Sequence, residues 1–361
     1  MGERADALDA DRSTRSRRRL WVFVLRPLLL VVVSLLVGRI LVRLVGSVDW
    51  SLVATALGRL SWYQFPILMV LLLVRQSANA VPLSRFVPGL RWRRSLQNDL
   101  AANLIGTVAP PPGDVVIRVS MFKSWGISAL DGMAGVTLNT LTFYVIRFGV
   151  PAAGVLLLTG EELAAGHLWL AIVSLVIAVA IVTTLILVSR GERLARLLGR
   201  TAGRVAARFR DTVDPQVWAE SVSGFRGRMS TTMIRGLPIS LAALFGMVLA
   251  DGVIVLTSLR MIGLDSQAAP VLWVLGSFML VYPLTMMPLA GLGVLDAVLV
   301  VLLAETAGAA AEPEIVAALV VWRVVTILGT LGLGALTLAW WRARHRDDVE
   351  DAGDAAQPAS P

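Results

Sequence analysis

Apolar residues occur along the chain in blocks of about 20, the length that an α-helix needs to cross the hydrocarbon core of a bilayer. Six of these blocks are long enough to be full membrane spans. Their approximate bounds are 20–45, 62–81, 130–158, 168–188, 237–259 and 315–341. The pattern therefore predicts an all-α, polytopic membrane protein with six full spans.

Two further apolar segments, at about 98–126 and 270–307, are interrupted by proline and glycine. On either side of each interruption the apolar run is too short for a full transmembrane helix. Each segment is therefore predicted to be a re-entrant hairpin, which leaves the membrane on the side where it entered. The predicted tips contain Pro110, Pro111, Pro112 and Gly113 in the first hairpin, and Pro288, Gly291 and Gly293 in the second. Irregular backbone at membrane depth is tolerated only where it is buried in protein or lines a wet cavity.

The composition of the 361 residues excludes a soluble protein. Apolar residues make up 56% of the chain and charged residues 16%, against about 25% charged residues in a typical soluble domain. Cysteine is absent, which excludes disulfides, thiolate metal sites and cysteine nucleophiles. Neither of the two histidines has a partner at metal-ligand spacing, and no nucleotide-binding or Gly-x-Ser-x-Gly motif occurs. We therefore expect no cofactor, no metal and no enzymatic activity.

The net charge is +8, and most basic residues lie in a few stretches between the spans or at the chain ends, where they would orient a membrane protein. Suppose that the N-terminus is cytoplasmic and that both hairpins are re-entrant. The stretches 1–19, 81–97, 190–235 and 342–346 then lie in the cytoplasm and hold most of the 33 basic residues, while the opposite loops hold only Arg59 and Arg260. The positive-inside rule favours this arrangement. It predicts a plasma-membrane protein with both termini cytoplasmic and no nucleic-acid partner.

The predicted topology divides the transmembrane domain, residues 20–341, into two halves at 20–158 and 168–341. Each half has three full spans and one hairpin, and because three is odd the halves have opposite orientation. Such inverted repeats are common in secondary transporters, whose broken helices meet near the midplane.

Three polar segments lie outside the spans. The basic N-terminus, 1–19, is predicted to be cytoplasmic, and the tail, 342–361, to be a disordered cytoplasmic segment. Arginines recur every four residues from Arg196 to Arg208 within the loop 190–235. This spacing fits either an amphipathic helix on the anionic inner leaflet or a solvated linker helix.

Ionisable residues at membrane depth are the candidate site residues, because burying their charge is costly. In or beside the hairpins these are Asp114, Arg118 and Asp296, with the polar Asn103, and in the spans they are Arg147, Asp251 and Arg323. Asp114 and Arg118 are four residues apart, and therefore on one face of a helix that begins after Gly113. The two hairpin carboxylates could instead be helix caps. Arg147 and Arg323 could contact a phosphate, or pair with Asp251 or Asp296. For Arg75, snorkelling to the interface is favoured.

The order and separation of two motifs resemble the lysylphosphatidylglycerol synthase transmembrane region, also called the flippase-like membrane family. The first motif is Pro110-Pro111-Pro112-Gly113-Asp114 followed by Arg118, and the second runs from Pro288 through Gly291 and Gly293 to Asp296. The resemblance covers about residues 20–341. Two features differ from the family pattern: aspartate replaces the usual glutamate in both motifs, and Leu289-Ala290 replaces part of the glycine pair. The resemblance implies the translocating region without a soluble synthase domain.

The leading functional hypothesis is a translocase for an anionic or phosphate-bearing lipid, in which arginines bind the phosphate and Asp114 and Asp296 orient them or take up a proton. One alternative is a membrane scaffold that recruits a soluble enzyme of lipid or cell-envelope synthesis through the loop 190–235. The other is a lipid-linked glycosyl- or acyltransferase with Asp114 or Asp296 as general base.

Overall fold

The computed structural model describes residues 50–109, 112–158, 165–190, 231–287 and 291–355, together with the single positions 216 and 220. The predicted span at 20–45 and the basic segment 1–19 lie outside the described residues, as does nearly all of the loop 190–235. Within the described ranges the chain is helical and contains no strand.

The helices of the first half are α1 (Trp50–Leu57), α2 (Phe65–Asn79), α3 (Val81–Phe86), α4 (Trp92–Val108), α5 (Gly113–Ser124) and α6 (Ala129–Leu157), with a 3₁₀ turn at Trp62–Gln64. Those of the second half are α7 (Ala165–Arg190), α8 (Thr231–Ile262), α9 (Val271–Val281), α10 (Val294–Ala307), α11 (Glu312–Arg323) and α12 (Thr330–Ala355). A 3₁₀ turn, Tyr282–Met286, follows α9, and another, Ala309–Ala311, precedes α11. A π-helical segment, Val324–Gly329, joins α11 to α12.

Four helical stretches among the described residues are long and apolar enough to cross a membrane. They are Trp62–Phe86, Ala129–Leu157, Arg235–Ile262 and Ala309–Arg344. These match the predicted spans at 62–81, 130–158, 237–259 and 315–341, and α7 covers the fifth, at 168–188. Large apolar side chains are exposed on α2 and α7, as lipid-facing surfaces require. The protein is therefore an integral membrane protein.

Helix α8 lies at the centre of the described fold. It packs against α2, α3, α6, α9 and α11. Its side chains Leu244, Met247, Val248 and Ile254 are almost fully buried in the main apolar cluster. Because five helices contact α8, a polar group on α8 can join several elements at once.

Each interrupted segment folds as two antiparallel helices. Helices α4 and α5 pack together with Asn98 opposite Arg118 and Gly106 opposite Asp114. Helices α9 and α10 do the same, and the Trp273 indole donates a hydrogen bond of 2.9 Å to the Leu302 carbonyl. With 17 and 12 residues, α4 and α5 are about 25 and 18 Å long, shorter than the roughly 30 Å hydrocarbon core.

The chain is helical in two places where the sequence pattern predicted polar loop or disorder. Helix α3 and the start of α4 lie within the predicted loop 81–97, because Leu83 and Phe86 are fully buried and anchor α3 to the bundle. Helix α12 continues into the predicted tail 342–361 and ends at Ala355. Extending an existing helix avoids the cost of nucleation, and no proline occurs before Pro358.

Candidate functional site

A buried ion pair joins the two arms of the α4–α5 pair. The Arg118 Nη1 atom donates hydrogen bonds of 2.7 Å to the Asp99 carboxylate and to the Asn98 side-chain oxygen. The Asn98 amide in turn donates to the Arg118 carbonyl at 3.3 Å. Asn98 and Asp99 are both buried, and the Asp99 Oδ2 atom has no hydrogen-bond partner among the described residues.

The structure gives Arg118 a different carboxylate from the one that the sequence spacing suggested. Asp114 lies in the first turn of α5, half-buried against Gly106, whereas Arg118 pairs with Asp99 across the hairpin. Asn103 is on an exposed face of α4. Sequence reasoning missed Asp99, although it is the one acidic residue within the sequence of α4. Its position in the first arm of a predicted hairpin was the available signal.

A second ion pair connects α10 to α11. The Arg323 Nε atom lies 2.8 Å from the Asp296 Oδ1 atom, and the other carboxylate oxygen accepts the Gly293 backbone N–H at 2.7 Å. Gly291 and Gly293 have φ of +73° and +85°, which glycine adopts at little steric cost. Asp296 therefore caps α10 and pairs with Arg323 at the same time.

A third ion pair lies in the core and includes Arg75. Its Nε atom is 2.8 Å from the Asp251 Oδ2 atom, while the Trp322 indole donates to Oδ1 at 3.1 Å. The neighbouring Gln76 amide donates to the Thr330 hydroxyl at 2.6 Å. Arg75 thus stays in the protein interior and does not snorkel. Together these contacts join α2, α8, α11 and α12.

Arg147, on α6, differs from these three arginines. Its guanidinium carbon lies 4.5 Å from the Phe143 ring centroid and 5.8 Å from that of Tyr144. No carboxylate in the described part of the chain lies within ion-pair distance of it, and its Nε atom is buried without a hydrogen-bond partner there. Two further buried side-chain oxygens, Asn139 Oδ1 on α6 and Ser277 Oγ on α9, also have no hydrogen-bond partner among the described residues. Helix α6 packs against both α9 and the 3₁₀ turn that follows it.

Helix α4 packs antiparallel to α12 and runs towards the π-helical segment. Helix α4 packs against α12, where a Cβ added to Gly334 would come within 2.6 Å of the Leu100 carbonyl oxygen and 3.0 Å of the Leu104 Cβ. The two helices run antiparallel here, so continuing α4 from Leu104 to Val108 leads towards the Val324–Gly329 segment. The end of α4 therefore lies on the side of α12 that is joined to α11 through this segment.

Comparison with protein families supports the motif resemblance over most of the chain. The model described as the lysylphosphatidylglycerol synthase TM region matches residues 28–334. The chain belongs to this family. No curated protein sequence matches the chain. Membership is consistent with a membrane function that involves lipids, and in this family member both broken segments and all three ion pairs fall inside the matched range.

Proposed function

We propose that the protein is a lipid translocase that moves a phospholipid or lipid-linked phosphate between leaflets through a cavity near the midplane. The observation that carries this proposal is Arg147. A permanently charged guanidinium at the depth of a membrane span is costly unless an anion accompanies it. In the described residues no carboxylate fills this role, so we assign it to the phosphate of the transported lipid.

Two other buried polar atoms, on α6 and on α9, which packs against it, also need hydrogen-bond partners. Asn139 and Ser277 each have a buried side-chain oxygen without a hydrogen-bond partner among the described residues. Buried polar groups in native proteins are nearly always hydrogen-bonded to protein, water or ligand. A lipid phosphate would supply a partner for the Arg147 Nε atom, and water that enters a polar cavity with the lipid would supply partners for the other two atoms.

In the proposed mechanism, two further arginines bind the phosphate, and each is in an ion pair at a hairpin before the lipid arrives. Arg118 is neutralised by Asp99, and Arg323 by Asp296, so each can exchange a carboxylate for a phosphate oxygen. The released carboxylate, or Asp114 nearby in the first hairpin, would take up a proton and couple exchange to proton movement. All steps are binding and release, so we assign no catalytic chemistry and no cofactor.

We further propose that the two antiparallel pairs, α4–α5 and α9–α10, are re-entrant hairpins from opposite sides of an inverted repeat with six full spans. Both pairs are interrupted near proline and glycine, and α4 and α5, with 17 and 12 residues, are too short for spanning helices. The basic stretches then face the cytoplasm of the plasma membrane, with both termini on that side. The loop 190–235 would contact the anionic inner leaflet.

Single cysteines that flank the hairpins test this topology, because the natural chain has none. Pro88→Cys and Lys123→Cys are expected to be protected from a membrane-impermeant maleimide added to intact cells, whereas Gln267→Cys and Ala309→Cys are expected to be labelled. All four positions are exposed at helix ends or in loops. If either pair crossed the membrane, its two flanks would label differently, and the repeat assignment would be wrong.

Reconstitution into liposomes tests translocation itself. Wild-type protein is expected to accelerate exchange of fluorescent phosphatidylglycerol or a polyprenyl phosphate between leaflets, and Arg147→Ala to slow it by about tenfold or more, since a charge-assisted hydrogen bond contributes about 1.5–3 kcal/mol. Arg147→Lys keeps the charge and should retain part of the rate.

The matched control is Arg59→Ala, whose side chain is 54% exposed and 3.9 Å from Glu314. It should exchange lipid at the wild-type rate. Equal exchange by wild type and Arg147→Ala would contradict the proposal, as would no acceleration of either lipid by folded wild-type protein.

A further inference from the structure

We propose that a cavity lined by arginine and tryptophan, at the interfacial end of α12, is a separate binding site for the phosphate of an anionic lipid headgroup. The cavity has a volume of about 590 Å³. It lies between the start of α4, the end of α5 and the region of α12 around Trp340. Its arginines are Arg91, Arg93, Arg94 and Arg344.

The charge of the cavity calls for an anion. Four guanidinium groups line it and no carboxylate does. None of the four forms an ion pair within the described ranges of the chain. Like charges that line one cavity repel each other, and a bound anion offsets the repulsion. Guanidinium groups bind phosphate oxygens in a bidentate manner, which makes phosphate a better fit than a monodentate anion.

Tryptophan rings orient two of these arginines. The Arg94 guanidinium carbon lies 5.6 Å from the Trp125 ring centroid, and that of Arg344 lies 4.3 Å from the Trp340 centroid. A guanidinium stacked on an aromatic face keeps its N–H edge available for an anion. The stacked pairs therefore provide donors whose direction is set before a ligand binds.

Hydrogen bonds fix two more tryptophans of the cavity wall. The Trp92 indole donates to the Ser77 carbonyl at 3.0 Å, and the Trp341 indole donates to the Ser124 hydroxyl at 3.2 Å. These contacts tie α4 to the end of α2, and α12 to the end of α5. Hydrogen bonds thus fix the positions of two tryptophans in the cavity wall.

The depth of the cavity favours a lipid as the source of the phosphate. It lies at the end of the apolar stretch Ala309–Arg344, and Trp340 is 46% exposed there. Tryptophan is enriched at the level of lipid headgroups, where its ring is in the apolar layer and its N–H faces water. A headgroup phosphate at this level can enter the cavity while its acyl chains remain in the bilayer. Free inorganic phosphate accepts the same hydrogen bonds from the arginines, but it enters the cavity from the aqueous side.

This site does not depend on the proposed translocation. Its arginines are separate from Arg118, Arg147 and Arg323, and binding can be measured without transport. The cavity is nevertheless at the base of the α4–α5 pair, about five residues along α4 from Asp99. If translocation is also correct, the cavity would hold a headgroup next to the first hairpin.

Native mass spectrometry of the full-length protein in detergent tests the site. The probes are dioleoyl phosphatidic acid, dioleoyl phosphatidylglycerol and the zwitterionic dioleoyl phosphatidylcholine. The double variant Arg94→Gln/Arg344→Gln is expected to bind the two anionic lipids at least about tenfold more weakly than wild type, with binding of phosphatidylcholine unchanged. The charge-matched control Arg59→Gln/Arg85→Gln changes two exposed arginines elsewhere and should differ from wild type by less than about twofold in the same titration.

Competition with inorganic phosphate distinguishes the two phosphate sources. Displacement of the tightest anionic lipid adduct by millimolar phosphate in wild type, but not in the double variant, supports a lipid headgroup site. If the anionic lipids bind wild type and a folded double variant equally well, the proposal is overturned. Phosphate binding that the double variant loses, without any change in lipid binding, would assign the cavity to free phosphate and also overturn the lipid assignment. Size-exclusion chromatography establishes that each variant is folded before titration.

Discussion

Replacement of Asp251 by alanine is expected to lower the free energy of unfolding by about 3–5 kcal/mol, because it leaves Arg75 buried without its carboxylate. The Asp251 side chain is 4% exposed. One of its oxygens forms the ion pair with Arg75, and the other accepts the hydrogen bond from the Trp322 indole. Losing it removes contacts among α2, α8 and α11 in one step. Reversible unfolding in mixed micelles, or the Tm of the purified protein in detergent, measures the loss.

Two variants separate the charge from the hydrogen bond. Asp251→Asn keeps an oxygen for the Trp322 indole and should be less damaging than alanine. Arg75→Leu/Asp251→Leu removes both charges and should recover most of the lost stability, because replacing a buried ion pair by apolar residues is often neutral. A Tm for Asp251→Ala equal to that of wild type would contradict the pairing, and so would a double variant as unstable as the single one.

Arg118→Ala is expected to destabilise the protein by a comparable amount, about 3–5 kcal/mol, because Asp99 would remain buried with its charge unpaired. One Asp99 carboxylate oxygen has no hydrogen-bond partner among the described residues. None of their side chains therefore donates to this oxygen in place of Arg118. The same change also removes the hydrogen bond from the Arg118 Nη1 atom to the Asn98 side-chain oxygen, whereas the bond from the Asn98 amide to the backbone carbonyl of residue 118 remains.

Double-mutant cycles identify which carboxylate Arg118 uses. Alanine substitutions at Arg118 and Asp99 should show a coupling energy of about 1–3 kcal/mol, whereas Arg118 and Asp114 should couple by less than about 0.5 kcal/mol. The Asp114 variant is the matched control, since its carboxylate is on the same helix as Arg118. Stronger coupling of Arg118 to Asp114 than to Asp99 would contradict this prediction and would support the pairing that the motif spacing suggested.

Sequence patterns predicted where the helices are but not how they face one another. A block of about 20 apolar residues is a local property of the sequence, so four spans were predictable to within a few residues. Helices of spanning length confirm the predictions at 62–81, 130–158, 237–259 and 315–341. The breaks at 109–112 and after Val281 were predictable for the same reason, because proline and glycine act on their own neighbourhood.

The choice of partner for each buried arginine depends on the rotation and packing of whole helices. Arg75 is near the end of its predicted span, and only the packing of α8 beside α2 brings Asp251 within reach of it. Arg118 has an acid four residues away on its own helix, yet the fold of the hairpin presents Asp99. One pairing, between Arg323 and Asp296, was among the alternatives that the sequence suggested.

The cavity lined by arginine and tryptophan was also not predictable from sequence patterns. In the sequence, Arg91, Arg93 and Arg94 belong to a basic stretch for which the positive-inside rule predicts only a role in membrane orientation. The structure brings them next to Arg344, which is 250 positions further along the chain, through the antiparallel packing of α4 on α12. No local pattern could have joined these residues.

The π-helical segment Val324–Gly329 has a consequence for movement within a single helix. A π turn holds one residue more than an α turn, and each residue of an α-helix corresponds to a rotation of about 100°. The segment therefore sets the angle between Arg323, which faces Asp296, and Thr330, which faces Gln76. Shifting the wide turn by one position rotates one part of the helix relative to the other while both remain helical. The wide turn therefore lets the rotation of α11 about the helix axis differ from that of α12.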